Sequence, residues 1–169
     1  MVVELSQISN ASIRLTNGQK LATVDRVIFD GEKAQIVGFQ TAQRAVITRF
    51  SRLDFDQTLS VGRGEVVIDD QKNLQRDLKL FDQLRHQYGH VIGVAAKTEA
   101  GQSIGKITDL LIDGETGLIV RFYLNHYLRE RIIPRQFLVS ITPRQIIFKD
   151  IVNQPIFDQV ATAGATSAG

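Results

Sequence analysis

The sequence predicts a mainly β protein made of two small β-barrels in tandem, joined by an α-helix. Three observations support this prediction: one stretch is written twice, short apolar runs alternate with turn residues, and a helical period separates the two copies. Gly18 to Phe39 reads GQKLATVDRVIFDGEKAQIVGF, and Gly101 to Phe122 reads GQSIGKITDLLIDGETGLIVRF. Two copies are too few for a solenoid, so the repeat indicates tandem small domains.

The repeat divides the chain of 169 residues into four parts. Residues 1–71 are predicted to form the first barrel, 72–90 the linker helix, and 91–152 the second barrel. Residues 153–169 form a C-terminal extension in which 153–160 are read as a short helix or a docking peptide. Its last nine residues, ATAGATSAG, are small and uncharged, and this composition predicts partial disorder.

The first copy reads as short strands separated by turn residues. Asn17-Gly18 is a strong hairpin turn because both residue types tolerate positive φ, and Asp30-Gly31-Glu32-Lys33 is a second loop. The alternation of apolar and polar residues between the turns predicts strands at 12–15, 20–29, 34–40, 45–50 and 65–68. Five or six short strands without a long helical period are typical of a small barrel or sandwich.

The segment between the copies changes to a helical period. Asp69 or Asp70 is a suitable N-cap, and Gly89 is a suitable end. Apolar residues recur every three to four positions: Leu74, Leu78, Phe81, Leu84 and Tyr88. Because this stripe needs a surface to cover it, we expect the helix to dock on one or both barrels.

The second copy predicts strands at 92–97, 103–112, 118–124, 131–134 and 145–148. Beyond the main motif, Val46-Ile47-Thr48-Arg49 resembles Ile132-Ile133-Pro134-Arg135, and residues 66–70 resemble 146–150. This alignment places a longer loop in the first copy, around residues 54–61.

Composition narrows the classes of function. Without cysteine, disulfides, thiolate catalysis and cysteine-based metal sites are excluded. The formal net charge of +2 is too small to identify a nucleic-acid binder by itself. No apolar run approaches the about 20 residues that a membrane helix needs, and residues 1–4 do not resemble a signal peptide. A cytoplasmic location is expected, with any membrane association peripheral.

Both copies resemble the PRC-barrel family, over nearly the whole chain except the helix and the tail. The shared pattern is a glycine turn, an apolar strand with a small residue, Asp-Gly-Glu, an apolar strand ending in an aromatic residue, and Ile-Ile-Pro. The second copy matches better, through Gly101, Gly105, Asp109, Asp113, Gly117, Ile133 and Pro134. The first copy departs from the pattern, with Ala22 in place of Gly105 and Thr48 in place of Pro134.

The family includes the cytoplasmic domain of the photosynthetic reaction-centre H subunit and the C-terminal domain of the ribosome maturation factor RimM. The resemblance implies a non-catalytic adaptor or assembly factor without a cofactor, which binds protein partners, and a photosynthetic membrane complex under assembly is one context. The alternative is a ribosome maturation factor that binds a ribosomal protein or RNA. Open barrel edges also allow a homodimer.

Two groups of polar residues have simpler explanations than catalysis or metal binding. Asp30 with Glu32, and Asp113 with Glu115, lie in hairpin loops where Asp favours the turn. His86 and His90 are spaced for one helix face, but Gly89 lies between them, and imidazolium at a helix C-terminus is the plainer interpretation. No nucleophile elbow, phosphate loop or dinucleotide fingerprint is present. The sequence therefore predicts no enzyme and no metal site.

The candidate partner-binding surface is the basic run in the second copy. If the run is extended, Arg129 and Arg131 share a face because they are two residues apart. Guanidinium groups beside a tyrosine suit an interface anchor or a phosphate contact. The predicted site residues are Arg121, His126, Tyr127, Arg129, Arg131 and Arg135. The competing interpretation is a solvated strand face balanced in part by Glu130.

Overall fold

A computed structural model describes residues 1–88, 90–154 and 157. These residues form two β-sheets with few helices, which confirms the prediction of a mainly β protein. Two predictions lie outside the described residues: the helix end at Gly89, and the conformation of nearly all of the C-terminal extension. Among the described helices, none combines the length and the apolar character needed to cross a membrane.

The secondary structure follows the repeat. The first half contains β1 (Val2–Glu4), α1 (Leu5–Ile8), β2 (Ser12–Leu15), β3 (Lys20–Asp30), β4 (Gln35–Gln43), β5 (Arg49–Asp54), β6 (Ser60–Gly62) and β7 (Glu65–Ile68). The second half contains α2 (Lys79–Tyr88), β8 (Ala95–Thr98), β9 (Ser103–Asp113), β10 (Ile119–His126), β11 (Arg129–Pro134), β12 (Leu138–Ile141) and β13 (Gln145–Phe148). Short 3₁₀ turns occur at Phe55–Gln57, Gln71–Asn73, Arg135–Phe137 and Asp150–Asn153.

The two sheets have the same topology. The first has the order β5-β4-β3-β2-β7-β6, and the second has the order β11-β10-β9-β8-β13-β12. Each contains one parallel pair, β2 with β7 and β8 with β13. Among the described strands, the outermost members of each order do not pair with each other. The sheets are therefore open ladders, and the closure predicted for each barrel is not observed in hydrogen bonding.

The first copy carries its extra residues between β4 and β5, not at 54–61. The loop 44–48 connects β4 to β5, whereas only 127–128 connect the equivalent strands β10 and β11. The pairing register agrees with this placement. Gly38 corresponds to Arg121 in the repeat; Gly38 pairs with Asp54 and Arg121 pairs with Pro134, so Asp54 corresponds to Pro134 and the first hairpin is the longer one. Residues 54–61, predicted as the long loop, hold a 3₁₀ turn and the start of β6.

The predicted strand at 45–50 is consequently wrong, because β5 begins at Arg49. Val46 and Ile47 resemble strand residues in the sequence, yet both side chains are exposed. The structural counterpart of Ile133 is Leu53, and both side chains are fully buried in the core. Local apolar character misled the alignment because a loop can expose the same residue types that a strand buries.

The helix α2 is shorter than predicted. Asp70 caps the 3₁₀ turn instead, accepting a hydrogen bond from the Lys72 backbone N–H at 2.8 Å. The Asp77 side chain accepts from the Lys79 backbone N–H at 2.9 Å, where α2 begins. The expected docking occurs: α2 lies on the first sheet, where buried Phe81 occupies the space that Gly38 leaves by having no side chain.

The strand β1 was not predicted, and it joins the sheet of the other half. Its residue Val2 pairs with Asp113, in antiparallel register along β9. The helix α1 follows over the same strand, and its Ser6 backbone N–H donates to the Asp109 carboxylate at 3.1 Å. One continuous apolar core connects the two halves. The division at residues 71 and 90 stays a prediction.

Candidate protein-interaction site

The two Asp-Gly-Glu turns meet and form the joint between the halves, which we define as residues 30–36 and 113–119. The backbone N–H of Ile36 donates to the Gly117 carbonyl at 2.8 Å, and the backbone N–H of Ile119 donates to the Ala34 carbonyl at 3.0 Å. These bonds flank a single antiparallel bridge between Gln35 and Leu118. The repeated motif is therefore an internal connection between the two halves.

Glycine is required where the two turns cross in the joint. Gly117 has a φ of 75°. A Cβ atom there would lie 2.8 Å from the Ile36 carbonyl oxygen and 3.3 Å from the Phe55 ring. A Cβ atom on Gly114 would lie 2.5 Å from the Val61 carbonyl oxygen. A side chain at either position would clash with the backbone of the first half.

The carboxylates in these turns are bound to their own backbone. Asp30 accepts hydrogen bonds from the N–H groups of Glu32 and Lys33, at 3.0 and 3.2 Å. Asp113 accepts from the Glu115 N–H at 2.9 Å, and this bond lowers the pKa of Asp113 below its ordinary value. Both arrangements are Asx turns, so these carboxylates have a local structural role.

The histidines His86 and His90 are both exposed. Within the described part of the chain, no group of three or more histidine, aspartate or glutamate side chains is placed to hold a metal ion. The structure therefore offers these two histidines no third ligand among the described residues.

The structure separates the six predicted site residues. Arg135 lies at the joint, where its guanidinium donates to the backbone carbonyls of Lys33, Ala34 and Ile119, at 2.6, 2.7 and 3.1 Å. It fastens one half to the other. Its donors are directed at the protein itself and not outward at a partner.

Arg131 is also engaged within the chain. Its guanidinium donates to the Val152 carbonyl and lies 5.8 Å from the centre of the Phe157 ring. Phe157 is buried and packs edge-on against Phe137, with 5.1 Å between ring centres. Arg131 thus holds the end of the described chain against the second sheet.

Arg121 and Arg129 lie on opposite faces of the β10–β11 hairpin. Arg121 faces Pro134, and Arg129 faces His126. Since residues alternate faces along a strand, Arg129 shares a face with Arg131, as expected, and Arg121 does not. Arg121 lies beside Tyr123, whose pKa is raised by burial of its phenol. The predicted residues that remain together are His126, Tyr127 and Arg129.

These three residues belong to the turn between β10 and β11, which we call the second tip (residues 126–129). Tyr127 and Leu128 have φ values of 47° and 66°, as a type I′ turn requires. Their side chains are 90% and 96% exposed. Both residues are unusual at positive φ, where asparagine and glycine are preferred. The hairpin therefore displays two large apolar side chains at a conformational cost.

The equivalent loop in the first half, which we call the first tip (residues 44–49), displays a similar pair. Val46 is fully exposed and Ile47 is 74% exposed. Arg44 and Arg49 flank them, and both are exposed. Sequence reasoning missed this site because it assigned Val46 and Ile47 to a strand. Comparing the two hairpin loops with each other would have revealed it, since each places an apolar pair beside arginine.

Each tip lies at the far end of a strand that begins at the joint. β4 begins at the joint and ends at the first tip, and β10 begins at the joint and ends at the second tip. Because the bridge between Gln35 and Leu118 is antiparallel, the two strands leave the joint in opposite directions. The repeat thus places the two tips at the ends of strands that run from the joint in opposite directions.

No protein-family model matches the chain. No curated protein matches it either. The likeness to PRC-barrels therefore stays a prediction.

Proposed function

We propose that the protein is a non-catalytic adaptor or assembly factor of two PRC-type barrels, which binds a protein partner at each tip. One observation supports this most: two hairpin ends made equivalent by the repeat each expose a pair of large apolar side chains beside arginine. A molecule with two such ends and a hydrogen-bonded joint between them is suited to hold two partners together.

The energetics of the tips fit a protein interface. Burying a side chain the size of Leu128 or Ile47 contributes about 1.5–3 kcal/mol. Tyrosine and arginine are the residue types enriched among the residues that dominate binding energy, and Tyr127 and Arg129 supply both at the second tip. Exposed apolar pairs of this kind are otherwise a liability in water.

The chemistry of the tips favours a protein partner over RNA, the alternative partner that the sequence suggests. Recognition of single-stranded RNA relies on aromatic or guanidinium planes that stack with bases. Three of the four apolar tip residues are aliphatic, namely Val46, Ile47 and Leu128. Arg131 and Arg135 already bind carbonyl groups within the chain. The assembly of a membrane complex, suggested by the family resemblance, belongs to this proposal as its context.

Site-specific photo-crosslinking in cells of the native host tests the proposal. A photoreactive phenylalanine analogue replaces Ile47 in one variant and Tyr127 in another. A third variant carries it at Val139 as a control, because Val139 is exposed on β12, at the other end of the second sheet's strand order from the second tip. We expect reproducible protein adducts from positions 47 and 127 and none from position 139. Adducts with RNA alone, or no adducts from either tip, would overturn the proposal.

Loss of the apolar pairs tests whether the tips act separately. Val46→Ser/Ile47→Ser should abolish the adducts of the first tip and leave those of the second, as read from a crosslinker at Arg44 or Arg129. Simultaneous loss of both sets from a change at one tip would contradict two independent sites.

A further inference from the structure

We infer that the free edge of β5, next to the first tip, binds an extended acidic segment of a partner protein by strand addition. The inference rests on the proposed adaptor function and specifies the chemistry of one of its two partners. It combines an open backbone edge, a cleft beside that edge and a one-sided charge distribution.

β5 is the last strand of the first sheet, and part of its outer edge is already paired. Arg52 and Gln75 exchange backbone hydrogen bonds in both directions, at 2.6 and 2.8 Å. This is an isolated antiparallel bridge and not a strand. The chain itself thus shows that the outer edge of β5 accepts an antiparallel segment.

The next outward-facing position on this edge is Phe50. Backbone N–H and C=O groups of residues two apart point to the same side of a strand, so those of Phe50 face outward with those of Arg52. Residues 49 and 51 face β4 instead. The described residues supply no backbone partner for Phe50 on its outer side. A strand added there would continue the ladder that Gln75 begins.

A cleft lies along this open part of the edge. It has a volume of about 440 Å³ and is lined by Gln43, Arg49, Phe50, Ser51 and Arg76. The lining thus includes two arginines where the added strand would run, together with Phe50, which is 44% exposed and offers an apolar contact. Among the described residues, neither Arg49 nor Arg76 forms a salt bridge.

Charge selects the occupant. The β4–β5 hairpin, residues 35–54, contains three arginines and one carboxylate, Asp54, which forms a salt bridge with Arg52. Guanidinium groups bind carboxylates in charge-assisted, often bidentate hydrogen bonds. Side chains alternate along an added strand, so carboxylates at alternate positions would reach Arg49 and Arg76, while the intervening residues face the opposite side.

The second half does not share this chemistry. The residue equivalent to Phe50 is Glu130, because Phe50 faces Ala42 in the first hairpin and Glu130 faces Asn125 in the second. A carboxylate at that position would repel an acidic strand. The inference therefore concerns the first half alone, and Glu130 provides a matched control.

The test measures fluorescence anisotropy of a labelled short peptide of alternating Glu and Val, titrated with the full-length protein. Phe50→Pro removes the outward N–H donor and leaves the ladder with β4 intact, since proline is tolerated where an edge N–H faces solvent. We expect Phe50→Pro and Arg49→Ala/Arg76→Ala each to weaken binding about tenfold. Glu130→Pro, at the equivalent edge, should leave binding unchanged.

Thermal melting of each variant checks folding, and the double arginine variant keeps the test decisive if Phe50→Pro fails to fold. Stronger binding of a matched Lys–Val peptide, of anionic lipid vesicles or of single-stranded RNA would overturn the inference, as would peptide affinity that neither variant reduces. Failure of this inference alone would leave the crosslinks from positions 47 and 127 in place, whereas failure of the adaptor function would remove them.

Discussion

Replacing the second tip with an ordinary turn should make the protein more stable while removing its contact site. The change is Tyr127→Asn/Leu128→Gly, which gives the Asn-Gly pair that type I′ turns prefer. Both native residues have positive φ values and almost fully exposed side chains. The substitution therefore relieves backbone strain and removes almost no packing.

The size of the effect follows from the backbone. A non-glycine residue in the left-handed region costs about 1–2 kcal/mol, and asparagine pays less of this cost than most residues. Glycine at position 128 reduces the gain in stability by about 0.5–1 kcal/mol, because glycine makes the unfolded chain more flexible. We expect a net stabilisation of about 1–2 kcal/mol, which corresponds to a rise in Tm of about 3–6 °C for a chain of this length.

Differential scanning calorimetry of wild type and variant measures this shift. Val46→Ser/Ile47→Ser at the first tip is the matched control, because it also removes an exposed apolar pair but no residue of 44–48, all of them described, has a positive φ. Its free energy of unfolding should change only as much as for ordinary surface substitutions, by about 0.5 kcal/mol or less in either direction. An unchanged or lower Tm for Tyr127→Asn/Leu128→Gly would refute the strain argument.

Four further predictions concern the joint and the helix. Gly117→Ala should cost about 2–3 kcal/mol in urea unfolding, because the added Cβ meets the Ile36 carbonyl. Gly101→Ala is the control and should cost clearly less, because Gly101 also has a positive φ but has open space around it. Equal costs would contradict the steric explanation. Arg135→Ala should lose about 2–3 kcal/mol with its three carbonyl partners, and a neutral result would remove its role in the joint. Asp113→Asn should make stability less sensitive to acid. The pKa of Asp113 is lowered in the folded protein, so its carboxylate contributes stability above the unfolded pKa, and this contribution disappears as pH falls through the folded pKa. Parallel pH profiles of Tm for wild type and variant would argue against this role. Phe81→Ala should cost about 3 kcal/mol because the helix loses its anchor over Gly38, and a full set of native hydrogen-exchange protection in α2 after that change would show that other contacts hold it.

Much of the fold could be predicted from the sequence where local chemistry and burial agree. The Asn17-Gly18 turn and the alternating residues beside it locate β2 and β3 to within a residue. The repeat then predicted β9 and β10 in the second half almost as closely. In these strands the residues that favour extended structure are also the residues that pack in the core, so both signals point the same way.

The remaining elements depend on contacts far apart in the chain. β1 has only three residues and no periodicity of its own, and it forms because β9 offers an edge. The segment before α2 has a helical pattern, but the bridge of Gln75 to Arg52 delays the start of the helix to Lys79. Tertiary pairing overrides local preference in both cases.

The arrangement of the candidate site residues also depends on contacts that the sequence does not reveal. A run of arginines looks uniform in sequence, yet its members differ in the carbonyl groups that they reach. Arg131 and Arg135 find acceptors inside the chain, and only the fold reveals this. Tyr127 could be singled out from its residue type, but its unusual turn backbone could not.

The placement of β1 on β9 sets the order in which this protein can finish folding on the ribosome. Asp113, the partner of Val2, lies more than a hundred residues later in the chain, so it is synthesised much later. Until then β1 has no edge to join, whereas the strands of the first sheet lie within 1–71 and can pair at once. Contacts between such distant residues slow folding because a long loop must close first. β1 can thus be secured only after β9 is made, and a nascent chain stalled before β9 would leave β1 without its strand partner.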